Sequence, residues 1–226
     1  MKPAPLLTKD TVQFFRELAH NNNKPWMDAN RERYRSSVVE PFRAMLDRLT
    51  PAARKLNPDF VITGRVSDNF SRINRDIRFA RDKTPYRPHM YLFFSESGAD
   101  VGQLYLGIAA DAVTCGFRIY GAGRTAPLVM YGRIRGRDHG IWIEKQKRRL
   151  ARKYQSYWYS TEKGEWTKHN GWPVAPEEWK KLQAWIIRRK FAHSAVSKPG
   201  FDREITKVFG DVYCFHDFTC SPKWKP

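Results

Sequence analysis

The first recurring pattern in the chain is an apolar stripe at helical spacing, formed by Val12, Phe15 and Leu18. It predicts an amphipathic helix that begins after a cap at Thr8 or Asp10. The helix should end at residues 21–23, because the short polar side chains of three successive asparagines compete for the backbone. Pro25 suits the first turn of a second helix, and Pro41 should kink or restart that helix.

A period of two replaces the helical spacing in the middle of the chain. Residues 101–109 and 113–120 alternate apolar with small or polar side chains on both sides of a short connection. Such a pair predicts an antiparallel hairpin with one buried face. Residues 60–62 and 91–94 are shorter apolar runs, which we interpret as two further strands.

Helical spacing returns at Pro176, and cations at residues 188–190 are typical of the end of the same helix. Its apolar stripe consists of Trp179, Leu182, Trp185 and Ile186. A last helix is predicted around residues 205–212, where apolar residues again share one face. The order of these elements predicts an α+β fold, in which N-terminal and C-terminal helices flank a central antiparallel sheet.

The composition supports a folded chain with a substantial core. Hydrophobic residues make up 41% and aromatic residues 14% of the 226 residues, and aromatic side chains bury large areas. We find no linker or internal repeat, so residues 1–226 are predicted to form a single domain. The segment at about residues 123–170 differs in composition from its surroundings, and a basic insertion is one interpretation of it.

The cysteines and the N-terminal residues indicate the cellular compartment in which the protein is expected. The three cysteines, Cys115, Cys214 and Cys220, have no CxxC spacing, which is typical of a reducing compartment. Two prolines interrupt the first ten residues, and no apolar run is long enough to span a membrane. These features predict a cytoplasmic protein with no membrane partner.

The excess of cations indicates which class of partner the chain could bind. There are 41 lysines and arginines against 23 acids, a net charge of +18, and such an excess attracts polyanions. On a helix over residues 144–153, four cations would share one face and could bind nucleic acid: Lys145, Arg148, Arg149 and Arg152. Aromatic residues that could stack on unpaired bases follow: Tyr154, Tyr157, Trp158 and Tyr159. The alternative is an ordinary solvated surface.

The densest polar chemistry lies in residues 71–89. Its candidate anion-binding residues are Arg72, Arg75, Arg78, Lys83 and Arg87, whose guanidinium and ammonium groups match phosphate or carboxylate. Asp76 could orient an arginine or act as a base, and His89 is a candidate acid or base. If residues 72–79 are extended, Arg72, Asn74, Asp76 and Arg78 share one face and Phe79 lies on the other. The alternative is that these charges pair with one another at a solvated edge.

Three segments, in order, resemble a known family. They read FFRELAHNNNKPWMDANRERY from Phe14, VVEPFRAML from Val38 and RINRDIRFARDKTPYRPHM from Arg72. They are similar to the family catalogued as domain of unknown function twenty-four sixty-one, and the similarity weakens in the second half. The resemblance implies an intracellular α+β domain and no particular reaction. Residues in or near these signatures are candidate neighbours of the site: Asn22, Asn23, Trp26 and Tyr86.

Three functions remain compatible with the sequence. Binding of phosphate-rich anions, with nucleic acid as the leading candidate, follows from the charge and the aromatic residues. An enzyme acting on a small phosphorylated or carboxylated substrate, or a protein-interaction domain, would use the same arginines differently. No zinc, phosphate-loop, dinucleotide or serine-hydrolase motif occurs, so neither cofactor nor metal is predicted. The oligomeric state is left open.

Overall fold

The computed structural model of the protein describes residues 6–97, 102–121, 137–221 and 224. Helices are α1 (Lys9–His20), α2 (Lys24–Ala29), α3 (Arg31–Tyr34), α4 (Glu40–Leu56), α5 (Arg137–Leu150), α6 (Pro176–Lys181) and α7 (Phe201–Cys220). Strands are β1 (His89–Phe94), β2 (Gln103–Ala109), β3 (Val113–Tyr120), β4 (Gln155–Glu162), β5 (Glu165–Asn170) and β6 (Ala184–Phe191). A π-helical segment, Arg35–Val39, leads directly into α4.

The strands form one six-stranded antiparallel sheet in the order β1-β2-β3-β6-β4-β5. Helices α1 to α4 precede the sheet in the sequence and α7 follows it. The predicted α+β fold is therefore confirmed. Within the described residues, no helix combines the length and the apolar character needed to cross a membrane.

The chain divides into two compact units. Unit 1 consists of Met1–Phe94, Tyr105–Thr114 and Phe191–Lys207, and unit 2 of Ser95–Leu104, Cys115–Lys190 and Val208–Pro226. The core of unit 1 is built on phenylalanines, which include Phe14, Phe15, Phe42 and Phe94. In unit 2 the largest buried side chains include Trp179, Trp185, Phe215 and Phe218. The single-domain expectation stays a prediction.

Helix α1 begins and ends where the sequence predicts, whereas the second helix is shorter than expected. Thr8 caps α1, and its backbone N–H donates to the Thr11 hydroxyl at 3.2 Å. The second helix is broken at Asn30, whose side-chain amide donates to the Trp26 carbonyl at 2.9 Å and competes with the helical backbone. Pro41 lies in the first turn of α4, directly after the π-helical segment, at the position where the sequence predicts a kink or a restart.

Two expectations about the strands need correction. The hairpin β2–β3 is present, but both of its faces are buried instead of one. Residues 60–62 form no strand. The carbonyl of Val61 is bound by the Asn69 side chain at 2.8 Å, so a side chain takes the place of a partner strand.

The helix predicted from Pro176 to about residue 190 is correct only as far as Lys181. Leu182 already has extended backbone angles, and the next residues form strand β6. The cause is burial on both faces: Trp185, Ile186 and Ile187 are all at most 2% exposed. A strand between two others can bury consecutive residues, and β-branched side chains favour that arrangement.

The hairpin β4–β5 lies in a stretch where the sequence pattern indicates no element. Its two-residue turn places Lys163 at φ 51° and Gly164 at φ 80°, the left-handed pair that a type I′ turn requires. A glycine at the second position was the available signal. Turn geometry fixes the pairing of β4 with β5 and so determines which side chains share a face.

Candidate functional site

Residues 71–88, here called the signature loop, form two irregular extended arms. Asn74 forms a bridge with Tyr86, and the Arg87 backbone N–H donates to the Ile73 carbonyl at 2.8 Å. The predicted alternation holds over most of the first arm, where the exposed residues are Arg72, Asn74, Asp76 and Arg78. Phe79 departs from it and is 94% exposed, because the chain turns where the Ala80 N–H donates to the Ile77 carbonyl.

Asp76 and Arg78 pair with each other on the exposed side of this loop. Arg78 Nη2 lies 2.7 Å from Asp76 Oδ2, and Arg78 Nε lies 3.0 Å from Oδ1. These hydrogen bonds hold the pKa of Asp76 below its usual range, because they favour the charged carboxylate. At neutral pH, Asp76 is therefore an ionised acceptor, and its catalytic role stays a prediction.

The other loop cations bind groups of the loop itself. Arg75 contacts the Asp82 carboxylate and the Thr84 hydroxyl. The backbone N–H of Thr84, together with Arg75, lowers the pKa of Asp82 to about 2. Lys83 Nζ donates to the Ile77 carbonyl at 3.0 Å, and Arg87 Nη1 donates to the Arg72 carbonyl at 3.1 Å. Most cations of the predicted cluster thus bind carboxylate, hydroxyl or carbonyl groups of the loop itself. Their anion-binding role stays a prediction.

Two predicted residues lie apart from these pairs. Arg72 lines a cavity in unit 1 together with Arg43, a residue that the sequence pattern did not single out. His89 is the first residue of β1 and is half-buried, with its ring centroid 5.1 Å from that of Tyr91. Its acid–base role stays a prediction.

The asparagine run at residues 21–23 contacts the signature loop through the Asn22 side chain, which binds backbone groups of the loop. The Asn22 amide donates to the Tyr86 carbonyl at 2.8 Å and accepts from the Tyr86 N–H at 3.0 Å. Asn23 caps α2 by accepting from the Trp26 N–H at 2.9 Å, and the Trp26 ring lies 5.5 Å from that of Phe14. Asn22 therefore connects two of the three family segments, which gives it a structural task in addition to the predicted one.

The basic helix differs in part from its prediction. Helix α5 ends at Leu150, so Arg152 lies beyond the helix and not on the expected shared face. Arg149 donates to the Asp211 carbonyl at 2.7 Å and to the Gln146 side chain at 3.0 Å. Lys145 and Arg148 are exposed and have no hydrogen-bond or ion-pair partner in the described part of the chain. Their nucleic-acid contact stays a prediction.

One side of strands β4 and β5, together with Arg188 of β6, forms a surface that we call the aromatic–basic face. Ala184 and Ile186 of β6 lie on the same side but are buried. Tyr159 pairs with Lys168 of β5 and Ala184 of β6, and the register places every second residue of each strand on the same side. The members include Tyr157, Tyr159, Trp166, Lys168 and Arg188. By this register, no described strand position on the face is acidic. Of the four predicted stacking residues, Tyr157 and Tyr159 lie here, whereas Tyr154 and Trp158 are buried.

The aromatic rings and cations of this face contact one another. The rings of Tyr159 and Trp166 are stacked with centroids 5.1 Å apart. Lys168 Nζ lies 4.4 Å and the Arg188 guanidinium carbon 4.9 Å from the Tyr157 ring centroid. Trp166 is 39% exposed. Trp166, Lys168 and Arg188 were missed by sequence reasoning, because only strand pairing brings them beside the two tyrosines.

Tyr120, at the end of β3, extends the same region of unit 2. It is 46% exposed. Burial, and secondarily the neighbouring Tyr120 hydroxyl, raise the pKa of Tyr159, because both disfavour the phenolate. The Tyr159 phenol therefore keeps its proton and can donate a hydrogen bond next to the cations of this face. Elsewhere in the described residues, no cluster of three His, Cys, Asp or Glu side chains is placed to hold a metal ion.

The fold and these surfaces define an α+β protein with a six-stranded antiparallel sheet, helices before and after the sheet in the sequence, and an excess of lysine and arginine over acidic residues. The chain belongs to the family described as conserved hypothetical protein (DUF2461), which matches residues 10–218. The match confirms the resemblance of the three segments and extends it over most of the chain. No similar curated protein and no similar solved structure was found.

Proposed function

We propose that the protein binds single-stranded nucleic acid through the aromatic–basic face. The observation that supports this most directly is the position of Tyr157, Tyr159 and Trp166 on one side of the sheet, next to Lys168 and Arg188. Proteins that bind single strands with little sequence preference combine exposed aromatic rings with cations in this way.

The two kinds of side chain would act on different parts of the ligand. An unpaired base can stack on a partly exposed ring such as Trp166, and stacking contributes about 1–3 kcal/mol per base. Phosphates would be bound by Lys168 and Arg188, with release of counterions. The net charge of +18 would speed the encounter with any polyanion. A duplex offers phosphates but no open base face, so we expect it to bind more weakly than a single strand.

The first test measures fluorescence anisotropy of labelled 20-nucleotide oligo(dT) and oligo(U) at several salt concentrations. Trp166→Ala should weaken binding about fivefold or more, the lower end of one stacking contact. Lys168→Gln should reduce the slope of log affinity against log salt by about 0.7, the value for one phosphate contact on a single strand.

Two matched controls separate this face from general effects. Phe79→Ala removes an aromatic ring that is 94% exposed in unit 1, and Lys198→Gln removes an exposed cation of the same unit. Both should bind like the wild type. If Trp166→Ala binds equally well, or if duplex binds as tightly as single strands, stacking on this face is wrong.

A further inference from the structure

Unit 1 contains a cavity of about 400 Å³ beside the signature loop. Its apolar part is formed by the buried side chains of Phe42, Phe70 and Met90. Val66, which is 54% exposed, lies at its edge. Cavities that bind small molecules have volumes of about 300–1,000 Å³ and are mostly apolar with few polar groups. The volume suits one small molecule, and aromatic and thioether side chains favour a flat apolar group against them.

Two arginines give the same cavity a strong positive charge. Arg43 of α4 and Arg72 of the signature loop both line it and both are exposed. Within the described residues, no carboxylate pairs with either guanidinium. This sets them apart from Arg75 and Arg78 of the same loop, which pair with Asp82 and Asp76. A guanidinium without a carboxylate partner can still form bidentate hydrogen bonds with an external oxyanion.

The remaining polar residues suit an anion as well. Tyr34 and Asn74 line the cavity, and each can donate hydrogen bonds from its side chain. Burial raises the pKa of Tyr34 to about 12, so its hydroxyl keeps its proton at physiological pH. No acidic residue is among the described residues that line the cavity.

We propose that this cavity binds a small aromatic oxyanion, a molecule whose ring occupies the apolar part and whose carboxylate or phosphate is bound by Arg43 and Arg72. The site is separate from the aromatic–basic face, because it lies in unit 1 and shares no residue with that face. It goes beyond nucleic-acid binding and does not depend on it. A guanidinium can bind carboxylate or phosphate with the same pair of hydrogen bonds. The experiment therefore includes one ligand of each kind.

The experiment is calorimetric titration of the full chain with phenyl phosphate and with phenylacetate, compared with inorganic phosphate and benzyl alcohol. We expect one of the two aromatic anions to bind at least about tenfold more tightly than either comparison compound, because both the ring and the charge contribute. The tighter of the two identifies the preferred head group. The proposal would be overturned if neither aromatic anion binds more tightly than inorganic phosphate and benzyl alcohol, or if neither binds at millimolar concentration.

Variants locate the binding. Arg72→Met and Arg43→Met should each weaken it about tenfold or more, since each removes charge-assisted hydrogen bonds and keeps the apolar stem. Val66→Trp should weaken it by filling the cavity from an exposed position. Arg81→Met, an exposed signature-loop arginine outside the cavity lining, and Trp166→Ala should leave it unchanged. Unchanged binding by both arginine variants would place the ligand elsewhere and overturn the assignment.

Discussion

At the scale of single residues, Asn69 shows how one side chain can replace missing secondary structure. It is 0% exposed and makes four hydrogen bonds to backbone groups. Its Oδ1 accepts from the N–H groups of Thr63 and Gly64 at 2.9 and 3.0 Å. Its Nδ2 donates to the carbonyls of Val61 and Phe93 at 2.8 and 3.2 Å. The Asn69 amide therefore supplies hydrogen bonds to backbone groups in and directly after residues 60–62, the segment that the sequence pattern predicts as a strand.

Asn69→Ala should lower the free energy of unfolding by about 3 kcal/mol or more, because it removes four hydrogen bonds at once and leaves the buried Phe93 carbonyl and three partly buried backbone groups without this partner. Asn69→Asp should cost a similar amount, since a carboxylate cannot donate to two carbonyls. Urea denaturation measures both. Asn21→Ala is the control: its side chain donates to the Glu17 carbonyl on an exposed surface, and its loss should cost under about 1 kcal/mol. Similar losses for Asn21→Ala and Asn69→Ala would contradict the special role of Asn69.

At the scale of elements, Arg33 of α3 connects to two acids of α1. Its Nε lies 3.1 Å from Asp10 Oδ1, and its Nη1 contacts Glu17. The Arg33 hydrogen bonds are the main cause that lowers the pKa of Asp10 and of Glu17. Carboxyl groups with a lowered pKa in the folded state stabilise the protein above their unfolded pKa values, which are near 4, and lose that effect as the pH falls.

Arg33→Met should lower the free energy of unfolding by about 1 kcal/mol at pH 7, a small value because these side chains are partly exposed. The difference from the wild type should shrink between about pH 5 and pH 3, where the two acids become protonated. Denaturation curves across this range measure it. Arg35→Met removes only exposed pairs and serves as the control. A difference that stays constant down to pH 3 would contradict the ion-pair interpretation.

The elements also show what the sequence could and could not predict. The apolar stripes of α1 and α7 face a core on one side only, so the helical spacing of their apolar residues could be recognised in the sequence. Strand β6 was misread because Trp185 and Ile186 continue the spacing of Trp179 and Leu182, although both faces of the strand are buried. The aromatic–basic face was half predicted: composition indicated its chemistry, but strand register decides which residues meet there.

At the scale of the whole molecule, the net charge of +18 should destabilise the folded state through self-repulsion. Raising NaCl from about 0.01 M to 0.3 M shortens the Debye length severalfold, and the thermal midpoint should therefore rise by a few degrees. Differential scanning calorimetry measures this shift. Near pH 10, close to the isoelectric point, the same salt change should have little effect. A midpoint that falls with salt at pH 7 would show that attractive ion pairs outweigh the repulsion.

The exposure of Trp166 has a spectroscopic consequence. All eight tryptophans lie in the described part of the chain, and Trp166 is exposed whereas the other seven are buried or half-buried. Collisional quenchers such as acrylamide should reach its indole most readily, and its emission should lie at longer wavelength than that of the core indoles. A ligand stacked on this ring would shield it from the quencher. Binding at the aromatic–basic face can then be followed in the unlabelled protein by acrylamide quenching of the long-wavelength part of its tryptophan emission.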